Sequence, residues 1–173
     1  MDSDTTEKRS KIYNNGEWDV KYLKFLTDFM RETGNTTSTL AAKLGIGRQA
    51  MYNYLVRDDM RLSVIENIMD ACGCQIRYSL EKPESTSGNV VMHLKDYMFR
   101  NVPDGVTIGR LWFLSVAMQR YGITGKEIAD RLGLSRSTVS TWFATNNVLI
   151  SHIYKICEAF GLEMKIEITM KEG

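Results

Sequence analysis

The sequence predicts a mainly α-helical protein built from two tandem copies of one unit, each ending in a short β-strand. Three observations support this prediction: an internal repeat, helical periodicity within each copy, and a change to alternating periodicity at the end of each copy. With 173 residues, the chain has the length of one large domain or two small ones.

The repeat is visible when the sequence is shifted by 88 positions, which places Leu44-Gly45 on Leu132-Gly133. The match continues without a gap on both sides, and roughly a quarter of the aligned positions are identical. The identical residues of the first copy include Leu23, Phe25, Leu26, Met30, Gly34, Thr36, Ala41, Arg48, Ser63, Ile65, Ile68, Ala71 and Gly73. A gapless register over this length indicates duplication of a folded unit.

The repeat and the composition together divide the chain into four segments. Residues 1–18 are polar at their start and are predicted to form a flexible tail, and residues 19–82 form the first domain with its terminal strand. The polar stretch "EKPESTSGN" begins a linker over residues 83–106, in which the spacing of the apolar residues favours a short helix over a strand. Residues 107–173 form the second domain with its terminal strand.

The helix boundaries follow from residues with known capping roles. The first helix of each copy is predicted to end at Gly34 or Gly122, because glycine tolerates the left-handed conformation of a helix end. The second helix of the second copy begins with a capping box between Thr124 and Glu127. The first copy has only threonine and serine over residues 36–39, so we expect a weaker cap there.

The last segment of each copy alternates apolar and polar residues, which predicts a strand. The apolar positions are Ile76, Tyr78 and Leu80 in the first copy, and Met164, Ile166, Ile168 and Met170 in the second. An isolated strand is unstable and needs a partner. Two arrangements are open: the two strands of one chain pair as a covalent pseudo-dimer, or each pairs across a homodimer.

Several functional classes are disfavoured. The chain has no apolar run long enough for a membrane span and no signal-peptide core, so we expect a cytoplasmic protein with three reduced cysteines. It has no Gly-rich phosphate loop, nucleophile motif or metalloprotease motif, and therefore we expect no enzyme activity and no cofactor. The Cys72-x-Cys74 pair lacks further metal ligands at suitable spacing, so we expect no metal site.

Two matching stretches, "LGIGRQAMYNY" and "LGLSRSTVSTW", carry the most specific pattern. In each copy a small residue on the second helix is followed by a glycine that supports the turn and by three apolar positions, and together these would form the joint core of the second and third helices. These residues are Ala41, Gly45, Ile46, Met51 and Tyr54, and then Ala129, Gly133, Leu134, Val139 and Trp142. The pattern resembles the helix-turn-helix of the Cro/repressor-like (Xre) family of bacterial and phage regulators. The terminal strands resemble those of antitoxins of the HipB kind, which pair between protomers.

The resemblance implies that the third helix of each copy enters the major groove of double-stranded DNA. The candidate DNA-binding residues are Gly47, Arg48, Gln49, Tyr52, Asn53 and Arg57 in the first copy, and Ser135, Arg136, Ser137, Ser140, Thr141 and Asn146 in the second. Arginine suits guanine and the amides Gln49 and Asn53 suit adenine, whereas serine and threonine bind bases or phosphates.

The resulting functional prediction is a sequence-specific transcriptional regulator, of the repressor kind, that reads two half-sites with two non-identical helices. The net charge of only +1 is low for a nucleic-acid binder. The alternative is therefore a protein-binding antitoxin or interaction module that uses the same fold against a partner such as a toxin, with DNA binding secondary or absent.

Overall fold

The computed structural model describes residues 13–14, 17–83 and 109–173, and the side chains of residues 17–83 and 109–173. In this part of the chain it has eight α-helices and four strands, so the mainly α fold class is confirmed. The chain divides into two compact units. Unit 1 contains the described residues up to Gln75 together with Leu149–Ser151 and Met170–Gly173. Unit 2 contains the described residues of Ile76–Val148 together with His152–Thr169.

Unit 1 begins with a two-stranded hairpin and continues with four helices. Its elements are β1 (Tyr13–Asn14), β2 (Glu17–Trp18), α1 (Lys24–Thr33), α2 (Thr37–Leu44), α3 (Arg48–Arg57) and α4 (Leu62–Ala71). Each helix contributes fully buried side chains to one core, such as Leu26, Leu40, Met51 and Ile65. Ala41 is buried as well, as the prediction of a small residue on the second helix requires.

The remaining elements are the terminal strand of the first copy, followed by the four helices and the terminal strand of the second copy. They are β3 (Cys74–Glu81), α5 (Trp112–Tyr121), α6 (Gly125–Leu132), α7 (Arg136–Thr145), α8 (Ile150–Phe160) and β4 (Glu163–Met170). The first two residues of α8 belong to unit 1 and the rest of α8 to unit 2. In unit 2, Leu114, Ala129, Val139 and Ile153 are buried, which matches the predicted core positions of the second copy.

The helix ends follow the predicted pattern, with one difference in capping. Gly34 and Gly122 end α1 and α5 in the left-handed conformation, with φ of 68° and 65°. The capping box of α6 is present, because the carboxylate of Glu127 accepts a hydrogen bond from the Thr124 amide at 2.8 Å. The helix α2 has a capping box too: the Thr39 hydroxyl accepts from the Thr36 amide at 2.8 Å and so takes the place of the missing acidic partner.

Two core expectations in the first copy are wrong in part. Ile46 is 37% exposed, because it lies in the turn after Gly45 and only part of its side chain reaches the core. Tyr54 is half-buried instead of buried, and the guanidinium of Arg57 lies 5.8 Å from its ring centre. The equivalent residue of the second copy, Trp142, is buried as predicted and stacks on the imidazole of His152 at 5.0 Å.

The two predicted terminal strands form one two-stranded sheet, β3 with β4. Along β3, Ile76 is half-buried and Tyr78 and Leu80 are buried, as the sequence periodicity predicts. Along β4, the half-buried residues Met164, Ile166 and Ile168 alternate with exposed ones. Met170 was expected on the same face but is 72% exposed, because it is the last residue of the strand. In unit 2 the sheet is held by the ion pair between Lys165 and Glu81 at 2.7 Å, and the ring of Tyr78 packs on Phe113 at 5.1 Å. The strands therefore find a pairing partner within one chain.

Segments from distant parts of the sequence complete unit 1. The carboxylate of Asp59 accepts hydrogen bonds from the amide and the hydroxyl of Ser151, at 3.1 and 2.5 Å. At the other end of the unit, the amide of Lys171 donates to the carbonyl of Gly73 at 2.9 Å. The Cys74 thiol also lies 3.5 Å from the sulfur of Met170.

Part of the segment predicted as a flexible tail, residues 1–18, has regular structure. Tyr13–Asn14 and Glu17–Trp18 form an antiparallel strand pair. The short helix predicted within the linker lies outside the described residues. No helix in residues 17–83 or 109–173 combines the length and the apolar character needed to cross a membrane.

Candidate nucleic-acid interface

The first turn of α3 presents the side chains predicted to read DNA in unit 1. Gly47 is the N-cap residue of α3 and contributes no side-chain cap, so the start of the helix is open. Arg48 and Gln49 follow and are both exposed. Within the described part of the chain, Arg48 makes no hydrogen bond or ion pair, and its guanidinium is therefore available to a ligand such as guanine.

The two amide side chains of α3 bind each other. The side-chain nitrogen of Gln49 donates to the side-chain oxygen of Asn53 at 3.0 Å, across one helical turn. Both residues are exposed. The contact leaves the oxygen of Gln49 and the nitrogen of Asn53 with hydrogen-bonding capacity. The side-chain amide of a glutamine or an asparagine suits a bidentate contact to adenine.

Tyr52, another predicted DNA-binding residue of α3, is in contact with the N-terminal hairpin. Its ring lies 5.5 Å from that of Trp18, with an interplanar angle of 61°, which is an edge-to-face arrangement. Both residues are half-buried. Trp18 was not among the predicted site residues, because it was assigned to a flexible tail and lies 34 positions before Tyr52 in the sequence.

Arg57 lies at the other end of α3 and folds back onto its own helix. Its side-chain Nε donates to the carbonyl oxygen of Asn53 at 3.3 Å, and its guanidinium covers the ring of Tyr54. The residue is nonetheless exposed, so its charge can still reach a phosphate.

In unit 2, several of the predicted DNA-binding side chains form hydrogen bonds at the start of α7 or within it. Ser135 is the N-cap of α7, and its hydroxyl accepts from the amide of Thr138 at 3.1 Å. It is also 2.9 Å from the hydroxyl of Ser137. The hydroxyl of Thr141 donates to the carbonyl of Ser137 at 2.8 Å. These three hydroxyls keep acceptor capacity, but their hydrogens or lone pairs are partly used within the helix.

Arg136 and Ser140 are the members of the second set whose side chains are unengaged among the described residues. Both are exposed on α7. Phe143, which was not predicted as a site residue, is 37% exposed on the same helix. Positions 136, 140 and 143 share one helical face. The helical spacing from Arg136 was the signal that could have identified Phe143. Its equivalent in the first copy, Leu55, is fully buried.

Asn146 has a structural role that the sequence did not reveal. It ends α7 in the left-handed conformation with φ of 50°, and its side-chain oxygen accepts from the amide of Leu111 at 3.1 Å. The side chain of Arg110 also donates to its carbonyl oxygen at 2.7 Å. Asp58 is the equivalent residue of α3. These contacts leave only the amide nitrogen of the Asn146 side chain for a DNA phosphate.

The titratable groups with altered pKa values are not among the predicted DNA-binding residues. The hydrogen bonds from the amide and hydroxyl of Thr124 hold the pKa of Glu127 below its usual value. Burial raises the pKa of the Cys157 thiol to about 12. Burial also raises the pKa of Cys72, although the nearby charge of Lys43 opposes the shift. Within residues 17–83 and 109–173 no three histidine, cysteine or acidic side chains are grouped closely enough to hold a metal ion.

Comparison with known protein families gives a specific match for both helix-turn-helix copies. The family described as the Cro/C1-type helix-turn-helix DNA-binding domain matches residues 26–77 and, separately, residues 114–165. The first match contains α2 and α3, and the second contains α6 and α7. Searches of curated proteins and of solved structures found no significant match.

Proposed function

Because the chain belongs to the Cro/C1-type helix-turn-helix DNA-binding family, we propose that it is a sequence-specific transcriptional regulator of the repressor kind. It would have two non-identical reading heads, the first carried by α3 and the second by α7. The observation that carries the proposal is the equivalence of Arg48 and Arg136. Each begins the third helix of its copy, is exposed, and has no partner among the described residues. An exposed arginine in this position suits the two acceptors of guanine in the major groove.

The two heads should prefer different sequences. The first head offers Arg48 with the Gln49–Asn53 amide pair, which favours guanine and adenine. The second head offers Arg136 with Ser140, and the exposed ring of Phe143 is suited to contact a thymine methyl group. The proposed operator is therefore an asymmetric or imperfect palindrome.

The proposed binding unit is a single chain that acts as a pseudo-dimer. Pairing of β3 with β4 within the chain supports this arrangement over a homodimer joined by the same strands. Two heads on one face of DNA are expected to contact half-sites about one helical turn, or ~34 Å, apart. Light scattering that finds a monomer bound to one operator would support the proposal, and a dimer bound to a symmetric operator would contradict it.

An in vitro selection of bound DNA, followed by gel shifts, tests the proposed function. The Arg48→Ala and Arg136→Ala variants should each weaken binding at one half-site by about tenfold or more, because a bidentate arginine–guanine contact contributes about 1–3 kcal/mol. The matched control is Arg77→Ala, which removes the same charge from an exposed position on β3. Equal losses in all three variants would indicate a general effect of charge and would contradict sequence-specific reading.

A protein-binding role is the second candidate. It is favoured by the net charge of +1 and by the exposed apolar side chains of Ile46 and Phe143 on the two helix-turn-helix segments. In that case the partner would be a protein such as a toxin, with DNA binding secondary or absent. The absence of any shift at low salt, with a folded protein, would favour this candidate.

A further inference from the structure

The N-terminal hairpin lies beside the helix that carries the first reading head. Trp18 makes an edge-to-face contact with Tyr52 of α3. Its neighbour Glu17 forms an ion pair with Arg31 of α1 at 3.7 Å, and Arg31 also binds Asp28 at 3.2 Å. The strand β2 is thus attached to α1 on one side and to α3 on the other.

Of the described side chains of the hairpin, Trp18 contacts one predicted reader, Tyr52. Arg48, Gln49 and Asn53 remain exposed on α3. A groove of about 1050 Å³ extends past Trp18 and Tyr52 and is also lined by Arg48 and by Thr36–Ser38 at the start of α2. A segment that blocked the reading head would fill this groove and cover the arginine. Trp18 instead forms part of the groove wall.

We propose that Trp18 is a positioning residue that fixes the ring of Tyr52 and thereby sets the base preference of the first head at the position that Tyr52 contacts. The proposal rests on the DNA-reading function proposed above. A tyrosine ring held in one orientation loses less conformational entropy on binding and tolerates fewer base pairs than a ring that rotates freely. Trp18 would therefore act on DNA through Tyr52 and not by direct contact.

The second copy provides an internal comparison. The residue equivalent to Tyr52 is Ser140, and the residue equivalent to Trp18 is Val106. No aromatic pair of this kind can form from those two residues. The inferred effect of Trp18 should accordingly be confined to the first half-site, and binding to the second half-site serves as the control for folding and general affinity.

The test uses the full chain and a selected operator in which every base pair of each half-site is varied. In Trp18→Ala we expect discrimination at the Tyr52-dependent base pair to fall by about two- to tenfold, the range for an aromatic pair. Discrimination at the second half-site should be unchanged. Trp18→Phe, which keeps an aromatic ring, should restore most of the loss. In a Tyr52→Ala background, Trp18→Ala should have no further effect, because the two residues act as one unit.

Four results would overturn the inference. Unchanged discrimination in Trp18→Ala would show that Tyr52 needs no support, and a uniform gain in affinity would identify the hairpin as a block. Equal losses at both half-sites would assign Trp18 a role in folding alone, and a full loss in the Tyr52→Ala background would show that Trp18 acts independently. These outcomes all require specific binding by the unmodified chain. If the unmodified chain shows no specific binding, the proposed function is contradicted. The inference rests on that function and is then contradicted as well.

Discussion

The side-chain amide of Gln49 donates a hydrogen bond to the side-chain oxygen of Asn53 at 3.0 Å, on the exposed face of α3. The two residues are one helical turn apart, where side chains of a helix meet. If the proposed DNA-reading function holds, the hydrogen bond restricts the rotamers of both amides before DNA binds and so lowers the entropy cost of ordering them.

The first prediction is that Gln49→Ala and Asn53→Ala are not additive. Each single change should weaken binding to the first half-site by about 1–3 kcal/mol, because it removes half of the amide pair. The double variant should lose less than the sum, since neither amide is correctly placed without the other. The dissociation constant for an operator with a fixed second half-site is the measurement. Strict additivity would show that the two amides read separate bases.

The second prediction concerns Asp58, which ends α3 with φ of 51°. Its carboxylate accepts from the amides of Lys21, Tyr22 and Leu23 at 2.8, 3.1 and 2.9 Å. Asp58→Ala should lower the free energy of unfolding by about 1–3 kcal/mol, because part-buried amides lose their acceptor. Urea denaturation measures the change.

Matched variants separate the causes at this position. Asp58→Asn should cost less than Asp58→Ala, because asparagine adopts the left-handed conformation and performs the same task at Asn146. Asp130→Ala removes an exposed carboxylate from α6 and should change stability little. A loss in Asp130→Ala as large as that in Asp58→Ala would argue that net charge, not the hydrogen bonds, causes the effect.

The third prediction is a pH dependence located at Glu127. Its pKa is lowered in the folded state by the hydrogen bonds from Thr124, so its contribution to stability is complete above the unfolded-state pKa and is lost as the pH falls through the folded-state pKa. The melting temperature of the unmodified chain should exceed that of Glu127→Gln at about pH 6, and the difference should shrink as the pH falls below about 4. The capping box of α2 contains only threonine side chains and provides a contrast. Thr39→Ala should lower the melting temperature equally at about pH 6 and below about pH 4, because no carboxylate takes part in that box. A constant difference for Glu127→Gln would contradict the prediction.

The fourth prediction concerns thiol reactivity. Cys157 is buried and its pKa is raised to about 12, so almost no thiolate is present near neutral pH. Cys72 is half-buried, with the Lys43 ammonium 4.0 Å from its sulfur. An alkylating reagent should modify Cys72 first and Cys157 only after unfolding. Mass spectrometry of the labelled chain and of Cys72→Ser measures this order. Modification of Cys157 in the folded chain at the rate of Cys72 would show that α8 opens locally.

Sequence reasoning succeeded where the signal was periodic or local. The glycine helix ends at Gly34 and Gly122 and the alternation along β3 and most of β4 depend on short-range patterns, and the structure confirms them. The repeat is visible in the sequence itself, and two separate matches to one family confirm it. The Thr124–Glu127 box is also local and was predicted correctly. Buried Trp142 follows from helical spacing alone.

It failed where a side chain's role depends on what lies opposite it. Asparagine is a residue type that commonly contacts DNA, but the side-chain oxygen of Asn146 accepts a hydrogen bond from the amide of Leu111, 35 positions away. The partner of Tyr52 is still less predictable, because Trp18 follows a polar stretch with no apolar periodicity. The capping box of α2 does not follow from the usual motif, because the hydroxyl of Thr39 accepts the hydrogen bond that a glutamate or glutamine side chain normally accepts.

The pairing of β3 with β4 determines how the sheet depends on protein concentration. A sheet formed by two strands of one chain assembles in a unimolecular step, so its equilibrium contains no protein-concentration term, unlike the sheet of a homodimer. Dilution therefore does not dissociate this sheet. Because Arg48 and Arg136 lie on the same chain, the helices that carry them are also present in equal numbers at any protein concentration.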